Sequence, residues 1–280
     1  MARWRTLGHD GAVLTGAALA GLAILGALLA PWLTPWDPLA VDLDQAMSPP
    51  SLHHPMGTDA LGRDLLSRIL HGGRISLGIS LAARTMSLVL GLLLGGAAGY
   101  AGGRLDSLVM RLADVTFAFP GLLLLIAVTA MLEPGVVPMI LALGVVGWAG
   151  MARLVRAQVL SVREKEFILA ARSLGLPATR IFLRHVLPNC LSVIVVAFTL
   201  GLGLTILAES SLSFLGLGIP PPSPSWGVMV AAGRDLIRTA PWVALFPGLA
   251  IGAAVLGFNL LGEGLRDVLD PRLSTARLDR

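Results

Sequence analysis

The stretch ISLGISLAARTMSLVLGLLLGGAAGY, Ile75 to Tyr100, is apolar or small throughout apart from Arg84 and a few hydroxyl residues. A helix rises about 1.5 Å per residue, so a run of this length crosses the roughly 30 Å hydrocarbon core of a bilayer. Five further runs read the same way: Gly11–Leu33, Val115–Leu132, Gly135–Met151, Cys190–Ala208 and Trp242–Leu261. The expected fold is an all-α integral membrane protein with six transmembrane helices, because only a helix satisfies its own backbone polar groups in lipid. Composition agrees. Of 280 residues, 55% are hydrophobic and 14% charged, with a mean hydropathy of +0.80, whereas soluble domains carry about 25% charged residues. Little chain is left for a separate soluble domain.

Gly11–Leu33 is longer than the roughly 7 to 15 apolar residues of a secretory signal. It reads as a spanning helix although Ala27 and Ala30 imitate a cleavage site. Thr34–Arg74 carries Pro35, Pro38, Pro49, Pro50 and Pro55 and is expected to be an extramembrane loop or small cap. Ile219–Pro241, with Pro220, Pro221, Pro222 and Pro224, reads as a second, rigid loop. Glu133 and Pro134 separate the third and fourth spans into a tight hairpin.

Cations set the orientation. With this topology one side receives fifteen of the 21 Lys and Arg residues, among them Arg3, Arg5, Arg104, Arg111, Arg266, Arg272, Arg277 and Arg280. The opposite side receives Arg63, Arg68, Arg74, Arg234 and Arg238, and Arg84 falls within a span. The positive-inside bias then places both termini in the cytoplasm. The formal charge of +4 is an arginine effect dispersed around apolar runs. It lacks the clustered basic face and interleaved aromatics of a nucleic-acid binder. A single cysteine, Cys190, rules out an intrachain disulfide and a thiolate metal cluster.

Gly11, Gly16, Gly21 and Gly26 recur in the first span, and Gly95, Gly99 and Gly103 repeat every four residues at the end of the second. Small residues at such spacing let helix backbones approach closely, within one bundle or against a partner chain. Arg84 and Glu209 are the charges inside or at the margin of apolar runs. Both are expected toward the outer half of the membrane, where they pair with each other, line a translocation path, or snorkel to the interface.

The longest inward loop is Met151–Asn189, MARLVRAQVLSVREKEFILAARSLGLPATRIFLRHVLPN, which carries seven cations, including Lys165, the only lysine. Phe167, Ala170, Ala171 and Leu174 fall at i, i+3, i+4 and i+7, a helical face suited to burial against something. Gly175 and Pro177 end that helix, and Ile181, Phe182 and Leu187 continue the apolar face in a second short helix before Pro188. Two short helices around a glycine break make a knob suited to docking in a partner's groove.

Ala170-Ala171, then Gly175, then Leu187-Pro188, resembles the EAA loop of permease subunits of ABC importers. Leu169 and His185 depart from the usual pattern, where glutamate and isoleucine are common. Further blocks narrow the resemblance to the dipeptide, oligopeptide and nickel importer permeases, in particular to their second permease subunit. They are His54-Pro55-Met56-Gly57-Thr58-Asp59 with Leu61–Arg68, Glu209–Gly218, Trp226-Gly227 and Leu265–Arg272. The resemblance spans about Pro31 to Leu273.

It implies the type I ABC importer transmembrane fold. Residues 1–73 would form an N-terminal helix and extracytoplasmic segment, 74–263 the transmembrane domain and 264–280 a cytoplasmic tail. It implies an ATPase-coupling loop carried by Glu166, Phe167, Ala170, Ala171, Gly175, Ile181, Leu187 and Pro188. The implied partners are a second homologous permease, two ATPase subunits and an extracytoplasmic substrate-binding protein in a bacterial inner membrane.

The chain is expected to hold no cofactor and to hydrolyse no ATP itself. A phosphate-binding loop ends in Lys followed by Ser or Thr, whereas Lys165 stands between Glu164 and Glu166. No helix offers two histidines four apart with a glutamate for zinc chemistry. Gly78-Ile79-Ser80-Leu81-Ala82 lacks the second glycine of a nucleophile elbow. The vicinal His53 and His54 read as solvated structure rather than a nickel site. A rival class, the ion-driven secondary transporter, would show repeated halves with interrupted spans, and none is evident. A purely structural membrane subunit is opposed by the EAA-like loop. Short peptides are the first substrate expectation, with nickel complexes and glutathione as alternatives.

Overall fold

A computed structural model describes residues 11–269. Arg3, Arg5, Arg272, Arg277 and Arg280, all used in the charge count, lie outside the described residues, as does the end of the closing block from Asp270. The described chain is almost wholly helical. Its helices are α1 Gly11–Leu28, α2 Ala30–Leu33, α3 Leu65–Ala101, α4 Gly103–Phe117, α5 Gly121–Ala130, α6 Val136–Arg163, α7 Glu166–Ser173, α8 Ala178–Ile181, α9 Leu187–Phe214, α10 Trp226–Gly233 and α11 Trp242–Leu269.

Four helical units are long and apolar enough to cross a membrane: α3, α6, the continuous stretch Ala178–Phe214, and α11. The bent pair α4–α5 counted as one span makes five, and the apolar but shorter α1 stands where the sixth was expected. α3 packs along α6, α1 along α11, and α11 along α9.

Several expected boundaries change. The rigid loop expected over Ile219–Pro241 contains the helix α10, because proline stops at Pro224 and Ser225 caps a new helix by accepting the Val228 N–H. The fourth and sixth spans run on to Arg163 and Leu269. Three more have a local cause. The second span begins at Leu65, so the extramembrane segment stops at Asp64, whose carboxylate caps the helix by accepting the Ser67 N–H at 2.7 Å. The third span is not one helix over Val115–Leu132. Pro120, which cannot donate to the helix and biases Phe119 away from it, breaks the chain between α4 and α5, which meet at 88°. The ten residues of α5 cover only about 15 Å, half a bilayer core. The fifth span does not start afresh after Pro188. Phe182–Val186 form a π-helical turn, in which Leu187 N–H donates to the Phe182 carbonyl, and α8 runs through it into α9. The wider turn makes room for the proline ring.

Glycines set the helix spacing. A Cβ at Gly91, Gly95 or Gly99 would strike Met151, Ala152 or Arg156 and Val159 of α6, so α3 lies against that helix over two turns. Gly103, expected in the same stripe, has open space around it because the chain has already turned at Gly102. In α1, a Cβ at Gly16 would strike Leu260 and Leu261 of α11 and one at Gly26 would press on Leu70 of α3, whereas one at Gly11 or Gly21 would meet nothing within 4 Å. These contacts are internal to the bundle.

At one end of the bundle, residues 34–64 and 215–241 form a cap. Leu65, Ile69, Met229, Ala240 and Val243 are its buried core. Trp242 Nε1 donates to the Thr58 carbonyl, which ties the first loop to the start of α11.

Candidate functional site

The end opposite the cap carries the knob. α6 runs on to Arg163, and Met151, Val155, Val159 and Val162 form a buried strip along it. Ile168, Ala171, Ile181 and Val186 close on that strip, together with Cys190 and Ile194 of α9. α7 begins at Glu166 and ends with Arg172 in its last turn, charges that complement its dipole. Gly175 terminates it at φ +75°, donating to the Arg172 carbonyl, while Leu176 N–H donates to that of Ala171. This paired cap needs a left-handed residue, which glycine adopts without a Cβ clash. The Arg172 guanidinium lies 5.8 Å from the centre of the Tyr100 ring, and Tyr100 meets Phe182 edge-on.

Of the α7 face read from the sequence, Phe167, Ala170, Ala171 and Leu174, the chain itself buries only Ala171. Phe167 is 44% exposed, Leu174 81% and Ala170 is also exposed, and so are Leu169 and Leu183. Ile181 is buried, Leu187 half-buried, and Glu166 and Pro188 exposed. Ile168, fully buried and one residue from Phe167, is the anchor that periodicity did not separate from its neighbours.

Arg84 and Glu209 do not form an ion pair. Arg84 stands near the middle of α3, because that helix starts earlier than its apolar run. Its Nε and Nη2 donate to the Phe198 and Ala197 carbonyls of α9 at 3.3 and 2.5 Å. Its guanidinium occupies the space that a Cβ at Gly201 would take. Glu209 is wholly buried toward the cap end and accepts from the Ser213 hydroxyl at 2.9 Å and the Ser210 hydroxyl at 3.3 Å. Its helix closes against the cap: Gly227 is seated on the Ser210 carbonyl, Trp226 Nε1 donates to the Ile69 carbonyl, and Trp226 N–H to Ser76 Oγ.

The His54–Arg68 block is a folded unit. Asp59 accepts from the Leu61 and Arg63 N–H groups and from Arg63 Nε, and lies 3.4 Å from Arg68 Nε. Arg68 Nη1 donates to the Pro38 carbonyl. His54 Nδ1 is 2.9 Å from Asp64. Gly62, at φ +73°, sits against the Asp42 carbonyl, where no side chain fits.

Residues 88–275 match the family described as binding-protein-dependent transport system inner membrane component. The chain belongs to that family. The permease is 42% identical over 279 residues to the di/tripeptide transport system permease protein DppC of Pseudomonas aeruginosa, covering 98% of this chain and 92% of that one. It is 46% identical over 258 residues to a putative peptide transport system permease protein of Brucella suis, covering 92% and 87%. It is also 46% identical over 271 residues to the glutathione transport system permease protein GsiD of Escherichia coli, covering 96% and 89%. The permease is thus a multi-pass membrane component of a binding-protein-dependent transport system, in which long helices join a cap and a knob.

Proposed function

We propose that this permease forms half of the translocation pathway of an ATP-driven importer of short peptides. The other half is a second, homologous permease. Of two ATPase subunits one docks on this knob and the other on the second permease, and a substrate-loaded binding protein docks on the cap. The observation that carries the reading is the knob itself, whose inner face joins it to α6 and α9 while Phe167, Leu169, Leu174 and Leu183 stay bare. Exposed apolar side chains on a rigid support, beyond the reach of the chain's own core, suit a partner's groove. Relatives named for di- and tripeptides support the substrate class, and the relative named for glutathione, itself a tripeptide, keeps that ligand as the second reading.

In this reading the permease is not an enzyme and holds no cofactor, and ATP is bound by its partners. The cation bias puts the knob and both termini in the cytoplasm. Closure of the ATPase dimer pushes on the knob between Glu166 and Pro188. Because α8 continues into α9, that push acts directly on a helix that reaches the cap. Tilting α6 and α9 then alternates access between the two sides. Reconstitution with both permeases, the ATPases and the binding protein tests this. Leu174→Asp, at an exposed position, is expected to leave assembly of the two permeases intact and to lower ATP-dependent peptide uptake by about tenfold or more, as loss of an interface anchor does. Unchanged uptake would refute the coupling role.

A further inference from the structure

Arg84 borders a cavity of about 310 Å³ that Ser87, Leu125, Leu143, Gly201 and Thr205 also line. That volume lies at the lower end of ligand pockets, which run from roughly 300 to 1,000 Å³. Hydrogen-bond accounting shows what the cavity lacks. The Ser87 hydroxyl donates to the Gly144 carbonyl, and the Thr205 hydroxyl to that of Gly201. A guanidinium has five N–H donors, and the two carbonyls of α9 take one each. The remaining polar hydrogens of these side chains all belong to Arg84.

No acidic side chain lines the cavity, and among the described residues no ion pair includes Arg84. A cation amid apolar helices without a counter-ion is costly, and such residues face a water-filled path or a partner of opposite charge. The planar donor fork of arginine suits a carboxylate in particular.

We propose that Arg84 is a substrate subsite in the pathway, holding the terminal carboxylate of a peptide as it passes. The proposal rests on the peptide-permease reading. Gly201 is part of the site: its missing side chain opens the α9 backbone, and the two carbonyls aim the guanidinium while leaving donors for the ligand. Those carbonyls stand on the helix that runs into the knob, so a movement of the knob moves one wall of the cavity.

The test is ATP-dependent uptake by the reconstituted complex of a tripeptide with a free carboxylate and of the same tripeptide as its C-terminal amide. Wild type, Arg84→Gln and Arg84→Lys are compared. The binding protein is the same in every arm, so a change in the acid-to-amide ratio between variants belongs to the permease. Arg84→Gln is expected to lower uptake of the acid by about tenfold, the loss of one charge-assisted contact, with uptake of the amide within about twofold of wild type. Arg84→Lys is expected to fall between. A partial folding defect scales both rates alike and leaves the ratio readable. If Arg84→Gln yields no assembled complex, Gly201→Ala, which displaces the guanidinium, is expected to shift the ratio in the same direction. An unchanged ratio overturns the proposal, including equal loss for both peptides if Arg84 only braces α9 or pairs with a neighbouring subunit. Wild-type complex that assembles but imports neither peptide overturns the peptide reading itself.

Discussion

Arg156 of α6 holds Asp106 of α4 in a two-point pair, Nε to Oδ1 and Nη2 to Oδ2, on the helix whose end carries the knob. Nearby, Arg153 pairs with Asp114 and lies 4.3 Å from the centre of the Phe117 ring. These two pairs fasten α4 along α6, and Arg163 separately ties the end of α6 to α3 by donating to the Gly99 carbonyl. The pair is partly open to solvent, with side-chain exposures of 31% and 18%, so its coupling energy should be about 1 kcal/mol. A double-mutant cycle of Asp106→Asn and Arg156→Gln measures it, each single change lowering Tm by roughly 2–4 °C. Additive single effects would show that the pair does not fasten α4.

Gly95→Ala should destabilise the bundle. The new Cβ would lie 2.8 Å from the Ala152 Cα, and backbone cannot rotate away as a side chain can. Overpacking of this kind costs about 1–3 kcal/mol. Gly78→Ala, on the same helix with nothing within 4 Å, should be neutral or stabilising by up to about 1 kcal/mol through helix propensity. Thermal unfolding in detergent of the two variants side by side separates close packing from a general effect of alanine.

Asp59→Ala should loosen the cap. It leaves Arg68, only 5% exposed in its side chain, with the Pro38 carbonyl as its remaining partner. Removing one member of a buried pair costs roughly 3–5 kcal/mol. Proteolysis of the 34–64 segment should then become fast while the knob stays protected. Unchanged protection would mean that the turn around Gly62 holds without its carboxylate.

Glu209→Gln should be tolerated and Glu209→Leu should not. The site offers hydroxyl donors from Ser210 and Ser213 and no cation among the described residues, so an acceptor is required there rather than a charge. Leucine would strand those hydroxyls at about 1–3 kcal/mol, read as a fall in Tm and in yield of folded permease. A glutamine variant as damaged as the leucine one would point to a cation reaching Glu209 from another subunit.

The sequence by itself determined the membrane class, the apolar segments and the interruption of the knob. These depend on local quantities: the length of an apolar run, the missing N–H of Pro177 and the left-handed backbone that Gly175 accepts. The four separated motif blocks carried the family. What local chemistry could not supply was rotation and partnership. A helical period allows Phe167 or Ile168 to point inward equally well, and only the strip of valines on α6 selects Ile168. Pro120 breaks the third span, where an apolar count alone saw a continuous helix. Arg84 and Glu209 resemble a pair when read only as two charges in apolar runs. The tertiary structure separates them because α3 begins at Leu65, which places Arg84 beside carbonyls 113 and 114 residues further along the chain, over a glycine with no side chain to exclude it. Such a seat is made by backbone brought together in folding, and no pattern of neighbouring residues encodes it.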